Sequence, residues 1–127
     1  MRILLDTHIA LWAVTGSRRL ASKGRQLILA ADEVHVSAAT MWEIAIKHTL
    51  GKGDRPVSSG QALQAFRDAG YALLNIKPEH AVRVEDLPSI HNDPFDRLLV
   101  AQAQFQPITL ITSDRLVSDY GAGIVLI

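Results

Sequence analysis

Short runs of aliphatic and β-branched residues alternate along this chain with longer stretches in which apolar positions recur at helical spacing. RILL (Arg2 to Leu5) reads as a buried strand, and Thr7 to Val14 as a short helix that Gly16 stops. Ser17 reads as the N-cap of a helix to about Ala31, with Leu20, Leu27, Ile28 and Ala31 on one face. VHV (Val34 to Val36) is a short strand. Ser37 caps a helix to about Leu50, ended by Gly51 and the polar turn GKGDRP. Gln61 to Ala69 is helical, Tyr71 to Ile76 is a strand, and Pro78 opens a helix that stops before Pro88. In SIHNDPFDRLLVAQAQF, Asp93 reads as an N-cap and Pro94 as the first helical residue, with Leu98, Leu99 and Gln102 continuing the helix. TLIT (Thr109 to Thr112) is a strand, Arg115 to Asp119 a helical turn, and Ile124 to Ile127 the final strand.

Strands separated by helices imply right-handed crossovers, so the pattern predicts an α/β fold in three layers. A central, mostly parallel sheet of about five strands is flanked by helices. The near-continuous apolar character of the strands agrees with burial on both faces. The length of 127 residues and a hydrophobic fraction of 48% suit one domain, residues 1–127, with a full core. Thirteen basic and 13 acidic residues cancel, which excludes the strongly basic signature of a nucleic-acid coat protein but not an enzyme that meets RNA through a local basic rim. The absence of cysteine excludes a disulfide framework and a thiolate metal site. One Arg and three apolar residues before Asp6 do not read as a signal peptide, and no apolar run approaches the ~20 residues that span a bilayer. A cytoplasmic protein without a membrane partner is expected.

Ligands of parallel sheets bind outside the carboxyl ends of the strands. Asp6 follows RILL at that end, and Asp114 follows TLIT. Glu43 stands among apolar neighbours in TMWEIAIK, in the N-terminal half of its helix, and Asp96 occupies the first turn of its own. All four map to one rim. Like charges at ~4 Å cost on the order of 4 kcal/mol per pair at an effective dielectric of about 20. A bound divalent cation resolves that repulsion, and oxygen-only ligands select Mg²⁺ or Mn²⁺ over zinc or copper.

The segments LLDTHIALW, SAATMWEIAIK, HNDPFDRLLVAQA and LITSDRLV, in this order and spacing, resemble a PIN-domain protein, and more narrowly a VapC-type toxin ribonuclease of a bacterial toxin–antitoxin pair. The resemblance implies a PIN-like fold and places the family's acidic quartet on Asp6, Glu43, Asp96 and Asp114. The serine or threonine that accompanies the last acid falls on Thr112. The implied activity is metal-dependent hydrolysis of RNA phosphodiesters. In that scheme Asp6, Asp96 and Asp114 hold Mg²⁺ (or Mn²⁺), and Glu43 ligates a second ion or orients the attacking water. Whether one or two ions bind stays open. Lys47, one turn after Glu43, together with Arg97 and Arg115, is a candidate for phosphate contacts. The resemblance further implies a homodimer and a cognate antitoxin laid over the helices near the site.

The aspartates have plainer readings, whereas an apolar face seldom tolerates a lone carboxylate such as Glu43. Asp6 and Asp114 can cap the helices that follow them, Asp96 can be an early-helix acid favoured by the macrodipole, and Asp93 reads as a cap first and a ligand second. Thr7 reads as a local cap. His8, His35, His48, His80 and His91 lack the spacing of a ligand set such as HExxH; His91, just before the DPFD helix, is the one positioned to line the site. Trp12 and Trp42 read as core or interface anchors, and GKGDRP lacks the phosphate-loop pattern. Two other functions compete: a PIN nuclease of RNA maturation or decay without an antitoxin, and a Mg²⁺-binding phosphoacceptor module. The second needs an acidic pair after an early strand, where this chain has the single Asp6.

Overall fold

The computed structural model describes residues 1–51 and 57–127; the GKGDRP turn, apart from Gly51, lies outside them. Five strands, β1 (Arg2–Leu5), β2 (Glu33–Ser37), β3 (Ala72–Leu74), β4 (Thr109–Thr112) and β5 (Ile124–Leu126), form one sheet in the order β3-β2-β1-β4-β5. Every pairing is parallel. The α/β architecture expected from the alternation is therefore observed. The helices are α1 (Thr7–Thr15), α2 (Ser22–Ala30), α3 (Ala38–Thr49), α4 (Ser59–Asp68), α5 (Pro78–Arg83), α6 (Pro94–Phe105) and α7 (Arg115–Ser118), with a 3₁₀ turn at Val84–Asp86.

β1 is the centre of the sheet, and its side chains alternate between two cores. Ile3 and Leu5 join Ile9, Val36, Ile44, Phe66 and Ile111 on one face, while Leu4 joins Leu99, Val100, Leu110 and Val117 on the other. All three β1 side chains have no exposed surface. Burying such a residue contributes about 1.5–3 kcal/mol, so both faces hold the strand in register.

Several boundaries differ from the sequence reading. Ser17 does not cap α2, which starts at Ser22 with Ala21 in the cap position and no side-chain cap bond. Gly16, at φ 65°, ends α1 in the left-handed conformation, and the Ser17 hydroxyl accepts from the Arg19 amide in the turn that follows. Serine here bonds its own local backbone, in competition with a helix start. α4 begins two residues early because Ser58 and Gln61 form a reciprocal capping box. β3, an edge strand paired only with β2, is shorter than Tyr71 to Ile76. Gly24 inside α2 packs closely: an added Cβ would stand 2.5 Å from Ile127 Cδ1 and 2.8 Å from Leu20 Cδ1, so those side-chain ends would have to shift.

The strand order reverses direction at β1, between β2 and β4. Such a switch point opens a crevice at the carboxyl ends of its strands. Residue 6 leaves β1 and residue 114 follows β4 at that crevice, and the N-terminal ends of α1, α3, α6 and α7 meet there too.

Candidate metal centre

Asp6 occupies the N-cap position of α1, yet its carboxylate makes no side-chain cap bond. It is 4% exposed, and its Oδ2 accepts a 2.6 Å hydrogen bond from Thr112 Oγ1. The same Thr112 oxygen accepts from the Asp114 amide at 3.0 Å. One buried hydroxyl thus ties together the acids that end β1 and β4. Burial raises the Asp6 carboxyl above its ordinary range, and the Thr112 bond works against that rise. Thr7 pairs its hydroxyl with that of Thr40 at 3.1 Å beneath the site.

Asp93 caps α6: its Oδ1 accepts from the amides of Phe95 at 2.8 Å and Asp96 at 3.1 Å. With Pro94 at the first helical position, this cap fixes the turn that carries Asp96. The Asp96 carboxyl is pushed up to about 8, chiefly by burial and then by the negative charges of Asp6, Asp93, Glu43 and Asp114. All four predicted acids and Asp93 therefore share one electrostatic neighbourhood. Asp114 behaves differently. Burial pushes its carboxyl up, but the hydrogen bond from His91 and the amides of Leu116 and Val117 outweigh this and hold it below its usual range.

Glu43 is 4% exposed on α3, and Lys47 one turn later donates to its Oε2 at 2.7 Å. Lys47 is therefore an ion-pair partner of a site acid. Arg115, exposed directly after Asp114, remains at the rim. Arg97, expected as a phosphate contact, has its guanidinium bonded within the protein. Its Nη1 donates to Pro88 O and Tyr120 Oη, each at 3.0 Å, and its Nη2 donates to Val84 O at 3.1 Å. Those donors are absorbed by the segment before α6 and by Tyr120.

His91 enters the acidic cluster more closely than its sequence position promised. Its Nε2 lies 2.9 Å from Asp114 Oδ2 and 3.2 Å from Asp96 Oδ2. Ligand atoms of His91, Asp96 and Asp114 all lie within 4.8 Å of one another. The available signal is local: a histidine two residues before a helix-capping aspartate can take that aspartate's own amide on its ring. Here the Asp93 amide donates to His91 Nδ1 at 3.0 Å.

His8, next to the start of α1, is near enough to Asp6 for its charge to pull that carboxyl down, while His80 is fully buried against Phe105. Trp12 packs against the core, and the half-exposed Trp42 meets Phe95 edge-on at 5.0 Å. Open grooves of about 530 and 490 Å³ lie at the amino ends of the strands, beside Arg2 and Thr109 in one case and Glu33 and Ala72 in the other. They are remote from the acids.

The acids at this crevice make a candidate metal site. Its donors are carboxylate oxygens, which suit a hard divalent cation, and a positive charge among them would reverse the repulsion that pushes Asp96 up.

A PIN-domain sequence model matches residues 3–122. Ribonuclease VapC22 of Mycobacterium tuberculosis (strain ATCC 25618 / H37Rv) is 35% identical over 121 residues, covering 89% of this chain and 87% of the relative. Among solved structures, VapBC2 from Rickettsia felis bound to a promoter DNA fragment aligns with a TM-score of 0.68 at 15% identity, over 100% of this chain and 98% of that one. Mycobacterium tuberculosis VapC20, a sarcin-ricin loop cleaving toxin, aligns with a TM-score of 0.65 at 16% identity, over 94% and 95%. These structural matches are similarities of fold.

Proposed function

The chain belongs to the PIN-domain family, and from that premise we propose that it is a metal-dependent endoribonuclease acting as the toxin of a toxin–antitoxin pair. The observation that carries the reading is Asp96. Its carboxyl is pushed up to about 8 by burial and by four other carboxylates, at the crevice where a sheet of this topology binds ligands. Kinship with a protein named as a ribonuclease supplies the substrate class.

In this reading Asp6, Asp96 and Asp114 hold the cation, with Mg²⁺ or Mn²⁺ favoured by the oxygen donors. When bound, such an ion polarises the scissile phosphate and lowers the pKa of its water. Thr112 holds the Asp6 carboxylate in place through its 2.6 Å bond. Glu43, steadied by Lys47, orients the attacking water and receives its proton. Arg115 at the rim contacts the substrate phosphate. Asp93 acts as the α6 cap that presents Asp96.

The partners that go with this reading are an RNA substrate, a second copy of the chain and a cognate antitoxin. A structural neighbour that is a toxin–antitoxin complex, from Klebsiella pneumoniae, supports the last. No helix among the described residues is long and apolar enough to cross a membrane, and cytoplasmic RNA is the natural target. The test is to induce the chain briefly in cells and map new RNA ends across the transcriptome, with Glu43→Gln as control. Discrete new ends that require Glu43 support the reading; an RNA population identical to the control contradicts it.

A further inference from the structure

His91, Asp96 and Asp114 have the outline of a mixed nitrogen and oxygen metal triad, because their ligand atoms lie within 4.8 Å of one another. The hydrogen bonds around the imidazole argue otherwise. Its Nδ1 is 3.0 Å from the amide nitrogen of Asp93, and a backbone N–H can only donate. Nδ1 therefore accepts, and in the neutral ring the hydrogen sits on Nε2. A protonated Nε2 has no lone pair to give a metal. It is a donor, and it faces Asp114 Oδ2 at 2.9 Å with Asp96 Oδ2 at 3.2 Å.

The main chain of His91 is held as firmly as its ring. Its amide donates to Tyr120 Oη at 2.9 Å, and its carbonyl accepts from Tyr120 Oη at 3.4 Å and Arg97 Nη1 at 3.5 Å. Arg97 Nη1 also donates to Tyr120 Oη at 3.0 Å, while its Nη2 donates to Val84 O and Leu87 O. Arg97 and Tyr120 thus lock the loop that carries His91, and the Asp93 amide locks the ring. The Asp114 carboxylate meets main-chain amides of α7, Leu116 on Oδ1 among them, and its Oδ2 takes His91 Nε2.

We propose that His91 is a positioning residue, a hydrogen-bond donor that fixes the Asp114 carboxylate beside Asp96, and not a ligand of the cation those acids hold. The inference rests on the metal-centre reading of the acids. It implies that the centre keeps an all-oxygen donor set and that the imidazole works through Asp114. Groups that orient metal ligands in this way typically contribute about 10–100-fold in metal affinity or activity.

His91→Ala isolates the ring, because the bonds to Tyr120 and Arg97 are made by the main chain and survive the substitution. The experiment titrates Mn²⁺ into wild type, His91→Ala and His91→Gln by EPR and records pulsed EPR of the loaded proteins, with melting curves of the metal-free forms as a folding control. The expected result is Mn²⁺ binding weakened about tenfold or more in His91→Ala, most of it recovered by the donor amide of His91→Gln, and no histidine nitrogen coupling in wild type. Nitrogen coupling in wild type that vanishes in His91→Ala overturns the proposal by making His91 a ligand. Unchanged affinity in a folded His91→Ala overturns it by making the ring irrelevant. A wild-type chain that binds no Mn²⁺ at all contradicts the metal-centre reading, and the proposal falls with it.

Discussion

Thr112 Oγ1 reaches from the end of β4 to the residue that ends β1 and donates to Asp6 Oδ2 at 2.6 Å, with both side chains buried. The bond adds a side-chain link to the backbone pairing of β1 with β4, at the seam where the strand order reverses.

Removing that link has a defined consequence. Thr112→Val keeps the shape of the side chain and leaves Asp6 Oδ2 buried without its donor, which costs about 1–3 kcal/mol. The Thr112 bond lowers the Asp6 pKa, so its loss lets burial raise that carboxyl further. Denaturant unfolding of the metal-free protein checks the first effect. Equal midpoints for variant and wild type would contradict it.

Asp96 makes the metal-free protein less stable as pH rises. Its folded-state pKa of about 8 lies above the ordinary 3.8. The folded form therefore binds more protons than the unfolded form between those values, and the stabilisation is complete below 3.8 and lost as pH passes about 8. His80 has a folded-state pKa lowered by burial, so it acts in the opposite sense, but its contribution is complete above the ordinary value of 6.5. The window from pH 6.5 to 8.5 then isolates the carboxylates. Melting temperature is expected to fall across that window in wild type and to fall much less in Asp96→Asn. Parallel curves would show that Asp96 does not titrate there.

Divalent cation should offset the same repulsion. Mn²⁺ or Mg²⁺ at about 100 times its dissociation constant stabilises by about 2.7 kcal/mol through mass action. The cation competes with the proton on Asp96, so the shift in melting temperature is expected to be larger at pH 8 than at pH 6. A shift independent of pH, or one that persists in Asp96→Asn, would place the ion elsewhere.

Arg97 is expected to act on stability. Its guanidinium serves Val84 O, Pro88 O and Tyr120 Oη in a planar fork that lysine cannot reproduce. Arg97→Lys should lower unfolding stability by about 1.5–3 kcal/mol, the range of hydrogen bonds to charged groups. RNA binding by the folded variant should keep the salt dependence of wild type. A shallower salt dependence with unchanged stability would return Arg97 to the role of a phosphate contact.

The fold was legible in the chain because the strands are compact apolar runs and the helices carry their caps in the sequence; Ser37 and Asp93 stand where the pattern puts them. The convergence of Asp6, Asp96 and Asp114 was legible for a topological reason, since a parallel sheet gathers its strand ends at one edge. His91 was less legible, because its defining contact with Asp114 joins residues 23 apart and depends on a loop held by Tyr120 and Arg97. The internal bonds of Arg97 were hidden for the same reason: nothing in the local sequence shows the carbonyls that its guanidinium meets. Ser17 misled because a serine before a helix can cap a turn equally well.

The most direct test compares RNA cleavage by purified wild type and Asp6→Asn with Mg²⁺ or Mn²⁺ present. Asparagine keeps an oxygen for the Thr112 bond and removes a buried charge, so the metal-free variant is expected to melt at or above the wild-type temperature. Cleavage is expected to fall on the order of 10²–10³-fold. Cleavage by Asp6→Asn at the wild-type rate would show that the chemistry does not run through these acids.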